Sequence, residues 1–273
     1  MQIIIVSHKR PRAQITWDEL PASIKEKTKI AVYEDEVDDY SNYPTITIPE
    51  EYRGIGRKRH YLLQHVATDK VCILDDDLVF ATRRQDEPAK FSPSTIVEVE
   101  TMFKHIEKAL DEFAHGAVSM REGANRDTNE FRFNSRALRL HFYNAREYRR
   151  LGIRFDRLPF MEDFDVTLQF LEQGLPNVIL NKWVHNQSGS NTHGGCAGMR
   201  DAQKQAAAAH SLAELHSHVK VVKKKTKDGW CADENGERTD VTIYWKKTYE
   251  SSGTAPILDN DSLQNLAAKA IRG

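Results

Sequence analysis

Val71-Cys72-Ile73-Leu74-Asp75-Asp76-Asp77 is the stretch on which the fold turns. A short apolar run with β-branched members, too brief for a helix, predicts a strand buried on both faces. Such strands belong to parallel sheets covered by helices. The strand runs straight into three aspartates, so the acidic cluster lies at its carboxyl end, where open α/β sheets bind their ligands. Crowded carboxylates there repel one another and lose hydration, and a divalent cation relieves both costs. Asp75 and Asp77 are expected on one side of the extended chain, a hard-oxygen pair suited to Mg²⁺ or Mn²⁺ bridging a diphosphate. An acidic loop or a helix cap is the ordinary alternative for such a cluster.

Upstream, Ile3-Ile4-Ile5-Val6 is a strand ending in the polar residues 7–12, and residues 29–33 form another, ending at Glu34-Asp35. Strand ends thus gather Ser7, Arg10, Glu34, Asp75, Asp76 and Asp77 on one edge. Gly54-Ile55-Gly56 leads into a helix over 57–65, whose basic first turn offers backbone amides and a cation, Arg57 or Lys58, to a phosphate.

Downstream, the pattern predicts a helix at about 93–113 and strands at 116–120 and 138–142, with the polar stretch 123–130 as a mobile loop able to close over donor or acceptor. Asn144-Ala145-Arg146-Glu147 starts a helix that stops at Gly152. Phe160-Met161-Glu162-Asp163-Phe164-Asp165 opens another, closed by Gly174. A carboxylate at a helix N-terminus is held as the anion and is available as a base. A strand over 178–185 precedes the Gly- and Asn-rich residues 186–198. An Ala-rich helix over 201–218 follows, then a basic β-hairpin within 220–249, turning at Asn235-Gly236 with Thr242-Ile243-Tyr244-Trp245 alternating beyond it. A last helix covers 262–271.

Length and composition fit one globular unit: 273 residues, 40% hydrophobic and 29% charged, enough to bury a full core. The expected division is a catalytic α/β domain over 1–200 and an extension over 201–273 packed on it. The 3 cysteines are far apart, odd in number and form no C-x-x-C pair, which argues against a disulfide framework or a thiolate zinc site. The apolar opening is too short for a signal segment or a membrane span, so a cytoplasmic chain with no membrane partner is expected. A net charge of −1 announces no polyanionic partner. Locally, arginines crowd 136–157 and lysines, Lys223 and Lys224 among them, crowd 220–227.

The order of strand, Asp75-Asp76-Asp77, Asn144-x-x-Glu147, Leu151-Gly152, Phe155-Asp156, Glu162-Asp163, Gly174 and a strand ending in His185 resembles the GT-A glycosyltransferases over roughly the first 200 residues. The resemblance implies a GT-A (Rossmann-like) fold, α/β with a mostly parallel sheet flanked by helices, plus a small C-terminal helix and β-hairpin extension. It implies a nucleotide-sugar donor and a divalent metal, Mn²⁺ or Mg²⁺. Asp77 is then the metal ligand, with Asp75 on ribose or metal-bound water. Asp163 is the base of an inverting transfer, with Glu162 or Asp165 orienting acceptor or sugar. His185 matches the family's metal-shell histidine, and His193, in Ser188-Gly189-Ser190-Asn191-Thr192-His193-Gly194-Gly195, competes with it.

Val6-Ser7-His8-Lys9-Arg10-Pro11, Gly54-Ile55-Gly56-Arg57-Lys58-Arg59 and the run from Trp183 to Gly195 are similar to a narrower group, the TET-associated glycosyltransferases of phages and kinetoplastids, which modify hydroxymethylated pyrimidines in DNA. That likeness implies transfer of glucose from UDP-glucose to 5-hydroxymethylcytosine in phage DNA. Arg132, Asp165, Trp183, Lys223 and Lys224 are then expected on the acceptor, where cations meet phosphate and aromatics stack on bases. Three rivals are the same fold acting on a saccharide, lipid or protein, a sugar-nucleotide pyrophosphorylase, and a silent nucleotide- or DNA-binding module. Residues 7–12 lack the glycine-rich phosphate loop with which the pyrophosphorylases open.

Overall fold

The computed structural model describes residues 1–187, 201–226, 231–253 and 256–272. The chain enters through β1 (Gln2–Val6), the short helices α1 (Ile15–Glu19) and α2 (Ala22–Lys25), β2 (Thr28–Tyr33), β3 (Thr45–Ile48), α3 (Ile55–Tyr61) and β4 (Lys70–Asp75). β1 pairs in parallel with both β2 and β4, and β2 with β3. Alternate residues of these strands feed two different cores. Ile3, Ile5, Ile30, Val32, Cys72 and Leu74 face one layer, and Ile4, Val6, Ala31, Val71 and Ile73 face the other. Each buried aliphatic side chain contributes about 1.5–3 kcal/mol, which is why the strands read as unbroken apolar runs.

β5 (Leu78–Arg83), β6 (Phe91–Pro93), α4 (Ile96–Ala109), β7 (His115–Met120), β8 (Phe131–Phe133), β9 (Leu140–Asn144), α5 (Ala145–Arg150), α6 (Glu162–Glu172) and β10 (Val178–Gln187) complete the layers. The 10-stranded sheet has the order β3-β2-β1-β4-β9-β7-β10-β5-β6, with β8 also on β10. β5, β8 and β9 run against the others, so the sheet is mostly parallel. The ends of β4, β7 and β10 therefore open on one edge. Asn144 caps α5 through the Arg146 and Glu147 amides, and Gly152 follows it at φ 65, as the pattern predicts. Gly56 is required by a close approach: a Cβ there would stand 2.5 Å from the Phe155 carbonyl oxygen.

Residues 123–130, expected to be a mobile loop, are held down. Arg83 donates to the Ala124 and Asp127 carbonyls at 3.1 and 2.9 Å, and the Asn181 amide reaches Asp127 at 3.1 Å.

Beyond residue 200 lie α7 (Ala202–Leu215), β11 (Val219–Lys225), β12 (Glu237–Ile243), α8 (Trp245–Glu250) and α9 (Asn260–Arg272). The hairpin is antiparallel as expected, but its connection spans residues 226–236, and Asn235-Gly236 closes that connection rather than forming a two-residue turn. Trp245 does not continue the strand. The Tyr244 amide goes to the His218 carbonyl and the Thr248 amide to the Tyr244 carbonyl, which turns the chain into α8. Ala208, Ala209 and Leu212 of α7 cover Phe160, Met161 and Leu168. Leu263, Ala267 and Ile271 of α9 enter the core beside Met102 and Ile106.

One buried contact between these parts titrates. His216 stands between two carboxylates of α6, its Nε2 2.8 Å from Asp165 and its Nδ1 2.7 Å from Glu172, with the Arg157 guanidinium 3.2 Å from Nε2. Only an imidazolium donates from both nitrogens. Burial opposes the charge, but the two carboxylates outweigh it and the His216 pKa rises above 6.5. Its stabilisation is therefore complete below pH 6.5 and is lost as pH climbs through the folded-state value. Calorimetry should show a melting temperature lower at pH 9 than at pH 6, and His216→Gln should remove about 1 kcal/mol, or roughly 2–4 °C, of that difference. An equal pH response in both proteins would refute it.

Candidate active site

β4 ends at Asp75, and Asp76 and Asp77 form the turn into β5. The extended alternation expected for Asp75 and Asp77 stops there, so the three side chains separate. Asp75 accepts from Arg59 Nη2 at 2.6 Å, and the same guanidinium reaches Glu162 at 2.9 Å through Nη1. Asp76 and Asp77 instead share Arg10 Nη1, at 2.9 and 3.0 Å. Ser7 donates to Asp76 at 2.5 Å, and Gln187, the last residue of β10, donates to Asp77 at 2.8 Å. Burial pushes the Asp76 carboxyl up to about 6 against the pull of Ser7 and Arg10. Burial also raises Asp75, against Arg59. Arg59 itself is buried, a cost outweighed by Asp75 and Glu162, which hold its pKa above the ordinary value.

Asp163 lies in the first turn of α6, behind Met161 at φ 62. A methionine in the left-handed region costs on the order of 1–2 kcal/mol. Lys9 and Arg139 are strained in the same sense, and the Arg139 carbonyl accepts from the Asp75 amide. Of the five non-glycine residues at positive φ among the described residues, these three lie on loops around the carboxylates, and Asn134 and Cys231 are the other two. Asp163 accepts from Arg136 Nε at 2.6 Å. The Arg136 guanidinium lies 3.8 Å over the Phe164 ring, which stacks on Trp245 of α8 with centroids 5.9 Å apart.

The remaining residues expected at the site divide. Arg57 is exposed on α3, whereas Lys58 is buried with its Nζ on the Ser7 carbonyl at 2.5 Å and 3.8 Å over the Tyr33 ring. Glu34 is exposed. Its buried neighbour Glu36 ties down the Ser7 to Arg10 loop through the Lys9 amide at 2.6 Å and His8 at 3.0 Å. His185 shares a β10 face with Gln187, and burial pushes it down to about 3, leaving a neutral imidazole. Asp165 is enclosed by Arg157, Gln169 and His216. Trp183 is buried in the core, edge-on to His105. Arg132 sits opposite Ile179, at the far end of β10 from Gln187. Lys223 and Lys224 face Asp233 and Asp240 at 2.7 and 3.1 Å. His193 lies outside the described residues. Arg59, Glu36, Arg136 and Gln187 were not singled out from sequence. Arg59 carried a signal as part of the basic run that opens α3, and Arg136 as the first member of the arginine-rich stretch 136–157.

A divalent metal is tested by the donor set. Among the described residues no group of three His, Cys, Asp or Glu side chains is disposed to hold an ion. Mg²⁺-like ions in nucleotide sites commonly take only one or two carboxylates, the substrate phosphates and water supplying the rest. Asp77 Oδ1 is buried with no hydrogen-bond partner, an acceptor whose burial is costly unless a ligand meets it. The residues fit such an ion.

The family model described as TET-Associated Glycosyltransferase matches residues 1–195. The Beta-glucosyl-HMC-alpha-glucosyl-transferase of Enterobacteria phage T6 is 23% identical over 215 residues, covering 75% of this chain and 77% of the phage protein. Its phage T2 counterpart is 22% identical over the same span. Among solved structures, S. aureus TarS 1-349 in complex with UDP-GlcNAc aligns with TM-score 0.45 and 13% identity over 78% of this chain and 67% of that one. GalNAc-T7 with UDP, GalNAc and Mn²⁺ aligns with TM-score 0.48 and 10% identity over 98% of this chain and 54% of that one. The chain is a glycosyltransferase and belongs to the TET-associated glycosyltransferase family, built on a mostly parallel α/β sheet flanked by helices.

Proposed function

We propose that the protein transfers glucose from UDP-glucose to the hydroxymethyl oxygen of 5-hydroxymethylcytosine in phage DNA, with inversion at the anomeric carbon. The observation that carries this reading is the single buried cluster in which Arg59 joins Asp75 to Glu162, the neighbour of Asp163, in a chain of this family. Arg59 thereby holds the start of α6 against the end of β4, the distance a donor-to-acceptor transfer must span. Asp163 accepts the proton of the attacking hydroxyl, and Glu162 keeps α6 in register. Ser7, Arg10, Arg57 and the Asp75–Asp76 pair frame the donor, Arg10 turning from the carboxylates to the diphosphate.

Asp77, with His185 or His193, would hold Mn²⁺ or Mg²⁺. Bound there, the ion would supply positive charge to the leaving diphosphate. A hydroxymethyl group inside a duplex is within reach once its nucleotide is flipped out. Residues 1–200 are proposed as the catalytic unit and 201–273 as an extension packed on it, acting in the cytoplasm of the host cell. Among the described residues no helix is long and apolar enough to cross a membrane.

A second reading has one observation in its favour: the phage relatives are named as α-glucosyltransferases for β-glucosyl-HMC. The attacking hydroxyl would then belong to a sugar already on the base. UDP release measured with hydroxymethylated, β-glucosylated and unmodified duplexes separates the two. Stimulation by the hydroxymethylated duplex alone supports the first reading, and stimulation by the β-glucosylated duplex alone replaces it with the second.

A further inference from the structure

A cavity of about 420 Å³ opens beside the β5–β6 hairpin, lined by Arg84, Ala89, Lys90, Phe91, Arg121 and Asn125. Its wall holds three cations and no acid. Arg84 is clasped by Asp86 and lies 3.4 Å from Glu87, and Lys90 is 2.9 Å from Glu87, so these two are part-neutralised from outside the wall. Arg121 is different. It is exposed, has no carboxylate partner among the described residues, and its guanidinium rests 4.6 Å from the Phe91 ring centroid, as does that of Arg83. The ring therefore holds an unneutralised guanidinium in one place before any ligand arrives, which reduces the ordering cost of binding. The position is tied to the site: Arg121 follows β7 directly, and its amide donates to the His185 carbonyl at 2.8 Å. In the sheet order β7 is separated by β9 and β4 from β1, whose end carries Ser7 and Arg10.

We propose that this pocket holds a backbone phosphate of the acceptor DNA strand, with Arg121 making the charged contact, Lys90 adding field and the Asn125 amide donating to a phosphate or sugar oxygen. The proposal rests on the DNA-acceptor reading. It also gives the acceptor its cations on the catalytic domain, where Lys223 and Lys224 already face carboxylates of their own hairpin.

The test is binding of a hydroxymethylated duplex to the full chain across a salt series, for the unaltered protein, Arg121→Ala and Arg121→Lys. One lost phosphate contact makes the slope of log K against log salt shallower by about 0.9, equivalent to roughly eightfold weaker binding at 0.1 M salt. Arg121→Ala is expected to show that change, Arg121→Lys to recover most of it, and UDP-glucose affinity to stay the same in both. An unchanged slope in Arg121→Ala overturns the pocket and leaves the DNA reading standing. Weakened UDP-glucose binding would assign the pocket to the donor and overturn it as well. If the unaltered protein binds no duplex, the DNA reading falls and the pocket falls with it.

Discussion

Replacing Asp163 by Asn is expected to lower sugar transfer by a factor on the order of 10²–10⁴ while fold and donor affinity persist. The amide fills the same volume at the start of α6 but has no basic oxygen for the acceptor proton. The local price is small: Arg136, part exposed and supported by the Phe164 ring, loses one charged hydrogen bond at 2.6 Å. Glu162 remains on Arg59. Transfer rate and donor affinity measured on the same preparation check this, because a misfolded variant loses both. Near-normal turnover would mean that another group takes the proton, or that transfer proceeds with retention.

Asp77→Ala is expected to abolish the metal dependence of donor binding, with a loss above the 10–100-fold typical of disturbing a metal's outer shell. Asp77 carries the buried oxygen left without a partner, and its other oxygen is held by Arg10 and Gln187. Alanine offers no side-chain oxygen to a hard cation. Calorimetry with UDP-glucose, with and without Mn²⁺, reads the effect. Affinity that still rises with Mn²⁺ to the native extent would remove Asp77 from the ion.

The strands around the site were legible because they are buried on both faces. Ile3 to Val6 and Val71 to Leu74 supply alternate residues to two cores, and only a continuous apolar run satisfies both. β3 was missed, since Thr45–Ile48 is part exposed and closes the order at the sheet's edge. β5 ends in Thr82-Arg83, with Arg83 turned onto backbone carbonyls, a use no pattern announces.

In the site, residue types were readable and directions were not. Lys58 and Arg59 are adjacent on α3, yet one sends its ammonium under Tyr33 to the Ser7 carbonyl and the other bridges Asp75 and Glu162. A difference of one helical position decides which cation is scaffold and which is site. Trp183 reads as a stacking aromatic, but it is buried edge-on to His105, and the ring belongs to the core. The basic run at β11 reads as a phosphate surface until its own hairpin supplies aspartates, Asp240 from the facing strand and Asp233 from the connection.

The most direct measurement is mass spectrometry of the nucleosides from a hydroxymethylated duplex incubated with the protein, UDP-glucose and Mn²⁺. The account predicts one hexose added to hydroxymethylcytosine, absent from unmodified cytosine and absent with Asp163→Asn. Donor consumption with no hexose on any base, in a protein shown to bind the duplex, would contradict it.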